Sequence, residues 1–159
     1  MTPSDAFAQG PYLVAAFLCE RLLVETDGVK SAIRIVDRVN RTARGPQPPE
    51  DMEPFDHVLT LFISLKSGYA RGNHRLRVEL VKPSQETVSP LDTTINFEGD
   101  EDRGVDVVVE LHMKIAITGI YWLNVYLKES LLTRIPFRVV YTPQYIRPPS
   151  TGAGGSPQA

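Results

Sequence analysis

Cysteine is almost absent from this chain. Cys19 stands alone among 159 residues, which excludes an internal disulfide framework and fits a reducing compartment. An excess of one charge is lacking too. The 17 basic and 19 acidic residues leave a formal net charge of −2, no overall footprint for nucleic acid, although a local patch can hide inside a neutral total. No apolar stretch approaches the length of a bilayer span. The apolar run Tyr12 to Leu18 has no basic region before it, carries Asp5 upstream and runs at once into Glu20 and Arg21. A lipoprotein signal wants a small residue before its cysteine, and Leu18 is not small, so the run reads as a strand. The expectation is a soluble cytoplasmic protein with no membrane span.

Helical periodicity is also missing, and two-residue alternation takes its place. Val105, Val107, Val109, Leu111, Met113, Ile115 and Ile117 fall on one face, while Asp106, Glu110, His112 and Lys114 fall on the other. Leu59, Leu61, Ile63 and Leu65 repeat the pattern within 57–66, and Leu76, Val78 and Leu80 within 75–82. Residues 12–25 and 30–39 flank Asp27-Gly28, a hairpin signal whose two-residue loop would set Glu25 opposite Lys30. Segment 86–97 is a Thr-rich strand, and 120–128 with 132–142 make a final hairpin. About eight antiparallel strands with regular turn signals predict an all-β sandwich or barrel.

Three segments lack periodicity. Thr42 to Pro54 holds four prolines and reads as a loop. Glu98 to Gly104 is a charged loop, and 143–159, rich in Pro, Gly and Ser, cannot bury a core and reads as a disordered tail. The expected organisation is therefore an N-terminal segment 1–9, with one helical turn over Ser4 to Gln9, a sandwich domain 10–142 and the tail. The domain is long enough to bury roughly 70% of the surface its unfolded form exposes.

Several motifs have a familiar ring together. They are Ala15-Ala16-Phe17-Leu18-Cys19-Glu20-Arg21, Glu25-Thr26-Asp27-Gly28, Ser31 to Asp37, Leu76 to Ser84, Gly119 to Leu127 and Ile135-Pro136-Phe137-Arg138-Val139. The chain resembles an uncharacterised bacterial family of small β-sandwich proteins, a domain of unknown function. The resemblance covers nearly the whole domain and implies a single immunoglobulin-like antiparallel β-sandwich of bacterial origin. It implies no catalytic residues. The family pattern favours Gly where this chain has Arg34, and Asp-Gly where it has Glu129-Ser130.

Chemistry-bearing clusters are scarce. His57, His74 and His112 sit singly on three strands with no second ligand at metal-binding spacing, and read as exposed or half-exposed strand residues. Cys19 has no neighbouring base and reads as a small core hydrophobe. No phosphate loop or nucleophile elbow is present, so no enzyme and no cofactor is expected. The segment 98–106 gathers five carboxylates in nine residues. Glu98, Asp100, Asp102 and Asp106 are calcium candidates by composition. Their spacing fits no calcium loop and Arg103 intrudes, so a solvated loop is the plainer reading.

The final hairpin carries the functional expectation. With Tyr121, Leu123, Val125 and Leu127 facing in, Ile120, Trp122, Asn124 and Tyr126 turn outward, joined by Arg134, Pro136 and Arg138. A three-residue loop at 129–131 would set Trp122 opposite Arg138 and Tyr126 opposite Arg134; a bulged two-residue turn is the alternative. Pro136 favours an edge strand. Trp, Tyr and Arg are the residues most enriched at interaction hot spots. The preferred reading is thus a non-enzymatic protein-interaction or scaffold module, binding a protein partner or another copy of itself. The alternatives are a ladder that merely stabilises a covered face, or a ligand-binding module for carbohydrate or calcium.

Overall fold

The computed structural model describes residues 9–150. The helical turn at Ser4 to Gln9 and the tail beyond 150 fall on or beyond those bounds. Nine strands form, β1 (Tyr12–Val24), β2 (Lys30–Ile35), β3 (Arg38–Gly45), β4 (Phe55–Lys66), β5 (Gly72–Val81), β6 (Thr87–Phe97), β7 (Gly104–Ile115), β8 (Gly119–Leu127) and β9 (Ser130–Tyr145). They make a four-stranded sheet, β2-β1-β4-β7, and a five-stranded sheet, β3-β9-β8-β5-β6. Among the described residues no helix is long and apolar enough to cross a membrane.

Alternation decides what is buried. Leu59, Leu61, Ile63 and Leu65 of β4 are fully buried against Leu76, Val78, Leu123, Val125 and Phe137 of the opposing sheet. β7 leaves its inward Val105, Val107 and Val109 half-buried at the margin of the same core. The all-β, two-sheet expectation holds. The immunoglobulin-like arrangement does not follow from it, because the five-stranded sheet curls into a half-barrel.

β1 serves two partners in succession, β4 through Cys19↔Thr60 and β2 through Cys19↔Ile35 to Val24↔Lys30. If β1 ran straight, Lys30 would lie about nine residues, or ~30 Å, beyond the row Ala15–Ser64–Asp106. Yet Lys30 Nζ meets Asp106 Oδ2 at 2.7 Å. The far half of β1 therefore bends back and carries the β1–β2 hairpin over the outer side of its own sheet. Cys19 sits at the bend. Its phase points away from the main core, but it is fully buried, and that burial pushes the thiol pKa up against the backbone hydrogen bond at Arg21.

The Asp27-Gly28 hairpin differs from the expected two-residue loop. Glu25 N–H donates to Val29 O at 2.8 Å and Gly28 N–H to Glu25 O at 2.9 Å, so three residues form the loop and Lys30 pairs with Val24, not Glu25. The expected single strand 30–39 is two strands. Val36 N–H still reaches Leu18 O, but Asp37 O accepts from Arg138 N–H at 2.9 Å, so the chain changes sheets within Val36-Asp37. β3 then runs parallel to β9, from Arg38↔Arg138 to Gly45↔Tyr145. This corrects the all-antiparallel expectation, moves 42–45 out of the predicted loop and extends the last strand from 142 to Tyr145.

Two prolines in β9 are tolerated for a positional reason. The Arg138 N–H points toward β3, so even-numbered residues of β9 face β3 and odd-numbered ones face β8. Pro136 faces the β3 side before β3 begins, and Pro143 faces the β8 side beyond the Gly119↔Val139 pair that starts β8. Neither missing N–H deprives a neighbour. β9 is thus an interior strand, not the edge that Pro136 suggested.

Candidate functional site

Strand alternation and register together define the outer face of the five-stranded sheet. β8 contributes Ile120, Trp122, Asn124 and Tyr126, and β9 contributes Arg134, Pro136 and Arg138. The structure turns all four candidates, Trp122, Tyr126, Arg134 and Arg138, to this face, but not in the expected pairs. A register shift between Val125 and Tyr126 follows a two-residue turn at Lys128-Glu129. Trp122 therefore faces Pro136, Asn124 faces Arg134 and Ile120 faces Arg138. The bulged two-residue turn is the form observed.

The contacts regroup accordingly. The Arg134 guanidinium lies 4.3 Å from the Trp122 ring centroid, and its Nε donates to Asn124 Oδ1 at 2.9 Å. Arg77, from β5, takes the place over Tyr126 at 4.5 Å and is paired with Glu79. Each cation–π contact contributes on the order of 0.5–1 kcal/mol at such a half-open site. Trp122 and Tyr126 are half-buried, so each ring offers a rim and not an open plate.

Charge segregates on this face. Its strands carry Arg38, Arg44, Arg75, Arg77, Arg134 and Arg138, against Glu79 and Asp92. Arg75 is bound by Asp92 at 2.8 and 2.5 Å, and that hydrogen bonding holds the Asp92 carboxyl below its usual range. Among the described residues no carboxylate lies within 4.0 Å of Arg38, Arg44, Arg134 or Arg138. Arg38 and Arg138 stand in register on adjacent strands. With Asp37, Ile120, Trp122 and Pro136 they line a shallow depression beside the indole. A chain of net charge −2 thus presents one predominantly cationic face. Composition concealed it, and the signal that would have exposed it is the arginine-rich stretch 38–44 once assigned to β3.

The acidic loop behaves differently. Arg103 lies between Glu98 at 3.0 Å and Asp100 at 3.5 Å. The Asp102 carbonyl accepts from Lys66 at 2.7 Å. Asp106 belongs to β7, where Lys30 and Ser64 both donate to it at 2.7 Å. Among the described residues no three His, Cys, Asp or Glu side chains gather at metal-binding distance. His74 departs from the exposed reading. It is buried, edge-on to Phe97 at 5.1 Å, with Nε2 3.2 Å from Arg71 O and Nδ1 unpartnered.

Residues 15–140 match a family described as "Family of unknown function (DUF6941)". No curated protein matches the chain. Among solved structures there is a likeness to the Pseudomonas fluorescens alkylpurine DNA glycosylase AlkC bound to DNA containing an abasic site analog. It has 12% identity, covers 78% of this chain and 30% of that one, and has a TM-score of 0.37. A likeness this slight leaves fold and function to be read from the strands themselves.

Proposed function

The chain belongs to this family of unknown function over residues 15–140, and we propose that it is a non-enzymatic interaction module whose cationic outer face receives an acidic segment of a protein partner. One observation carries the reading. Arg38 and Arg138 lie side by side with no carboxylate within 4.0 Å of either among the described residues, next to a tryptophan already overlaid by Arg134. Arginine forks bind carboxylates bidentately and are less heavily hydrated than lysine, so two unpaired forks on a rigid sheet favour acidic side chains. The indole supplies the apolar contact typical of a hot spot. We take the cytoplasm as its compartment, a placement supported by the free, buried thiol of Cys19.

Carbohydrate and calcium draw less support. Guanidinium groups already lie over Trp122 and Tyr126, where a sugar ring would have to stack. Of the four candidate carboxylates, Glu98 and Asp100 are engaged by Arg103 and Asp106 by Lys30.

Trp122 is the single tryptophan, so its fluorescence reports directly on the face. Titration with Asp/Glu-rich peptides should shift the emission. The double variant Arg38→Ala/Arg138→Ala should weaken binding at least tenfold, about 1.4 kcal/mol, while leaving the melting temperature nearly unchanged. Equal binding by the double variant would refute the reading. So would a preference for single-stranded oligonucleotides over peptides, or loss of a wild-type dimer as the variant's only effect.

A further inference from the structure

The point where the chain crosses between sheets leaves a second recess, separate from Trp122. It is a cleft of about 470 Å³, and its polar wall is Glu20, Arg34, Asp37, Arg38, Asn40 and His57. Three distant parts of the sequence meet there: β1, the β2–β3 crossing and β4. The crossing is held at both ends, by Val36 N–H on Leu18 O at 2.8 Å and by Arg138 N–H on Asp37 O at 2.9 Å. The recess is therefore formed before any ligand arrives, which lowers the ordering cost of binding.

Two features set this wall apart from an ordinary polar surface. Arg34 has a φ of 53°, a left-handed backbone that disfavours any residue with a Cβ and suits glycine. Its pairing with Glu20 at 2.7 Å is largely exposed on both sides, and exposed pairs stabilise little. The fold gains less from arginine here than glycine would give, and such backbone strain concentrates at binding sites. The second feature is that Asp37 and Arg38, opposite charges on successive residues, meet no oppositely charged side chain within 4.0 Å among the described residues. His57 adds a ring whose pKa is lowered by burial, with Glu20 opposing, so it is neutral near pH ~7 and able to donate or accept.

We propose that this cleft binds a small zwitterion, a free α-amino acid or a short peptide. Its ammonium group sits on the unpaired Asp37 carboxylate and its carboxylate on the unpaired Arg38 guanidinium. The Glu20–Arg34 pair also lines the recess and keeps it electrically balanced, which suits a ligand of no net charge. The cleft shares Asp37 and Arg38 with the depression beside the indole, but Glu20, Arg34 and His57 line the cleft alone and Trp122 lines only the depression, so Trp122→Ser separates the two readings.

The test is a thermal-shift and calorimetric screen of the full chain against the twenty amino acids and a set of dipeptides, each at about 10 mM. N-acetylated and methyl-esterified forms, lacking one charge, serve as controls. At least one zwitterion should raise the melting temperature by ~2 °C or more, and both blocked forms should fail to do so. Dipeptides exceeding amino acids would identify peptide ends as the source, and the reverse would identify free amino acids. Asp37→Asn should weaken the response at least tenfold. Arg34→Gly should raise the melting temperature of the unliganded protein yet lose the response, a split that a purely structural arginine would not give. Trp122→Ser should leave the response intact. No response across the panel, equal response to the blocked forms, or full response in Asp37→Asn would overturn the proposal.

Discussion

Replacing Gln85 by glycine should make the protein more stable, and the reason is already built into another of its loops. At Glu25 to Val29 the Gly28 N–H bonds to Glu25 O at 2.9 Å while Glu25 N–H closes on Val29 O at 2.8 Å. At Lys82 to Glu86 the Gln85 N–H bonds to Lys82 O and Lys82 N–H to Glu86 O, both at 2.9 Å. The frames are the same, and both put the fourth residue in the left-handed region, Gly28 at φ 84° and Gln85 at φ 69°. A Cβ there costs about 1–2 kcal/mol. Glycine returns about 0.5–1 kcal/mol of that as extra freedom in the unfolded chain. The net gain for Gln85→Gly is about 0.5–1 kcal/mol, or ~1–4 °C in a domain of this size. Gly28→Ala, which meets no atom within 4 Å at its new Cβ, should lose a similar amount for the opposite reason. Urea melts read at constant slope measure both. A fall in the midpoint of Gln85→Gly would refute the idea that backbone conformation governs these turns.

Two further outcomes follow from the four-stranded sheet. A Cβ at Gly104 would overlap the carbonyl oxygen of Leu65, so Gly104→Ala should force the β4–β7 ends apart and cost on the order of 1–3 kcal/mol in a chemical melt. Burial pushes the Asp106 carboxyl up, but hydrogen bonds from Lys30 and Ser64 win and hold it below its usual range. A lowered folded pKa contributes stability above the unfolded value, near pH ~4, that is lost as pH falls through the folded value. Asp106→Asn should flatten that part of the acid limb, and unchanged acid sensitivity in melts below pH ~4 would count against the pair.

The core was legible because burial writes itself into alternation. Leu59, Leu61, Ile63, Leu65, Leu76, Tyr121, Leu123, Phe137 and Val139 all lie inside as the pattern requires. Strand partners were less legible. Val36-Asp37 continues the alternation of its neighbours, so nothing in the residues marks the change of sheet, and β3 with its parallel pairing was hidden. Asp27-Gly28 announces a turn but does not say whether two residues or three form the loop. Trp122, Tyr126, Arg134 and Arg138 face outward as alternation requires, but their cross-strand partners differ from those expected, because a bulge moves register without changing which side chains face out. Arg77, which covers Tyr126, comes from β5, and no local pattern links it to β8. His74 shares the inward phase of Leu76, Val78 and Leu80 and is buried as that phase requires; the exposed reading followed its polarity and not its phase.

The placement of Pro136 has a bearing on how β9 finds its seat. A slip of β9 by two residues keeps every greasy side chain pointing the same way, so hydrophobicity alone would tolerate it. But a slip that brought position 136 to where 138 now lies would set an imide nitrogen against the Asp37 carbonyl, which now accepts from Arg138. That carbonyl would then go unanswered, and the chain is steered back to the alignment in which Arg38 and Arg138 stand together.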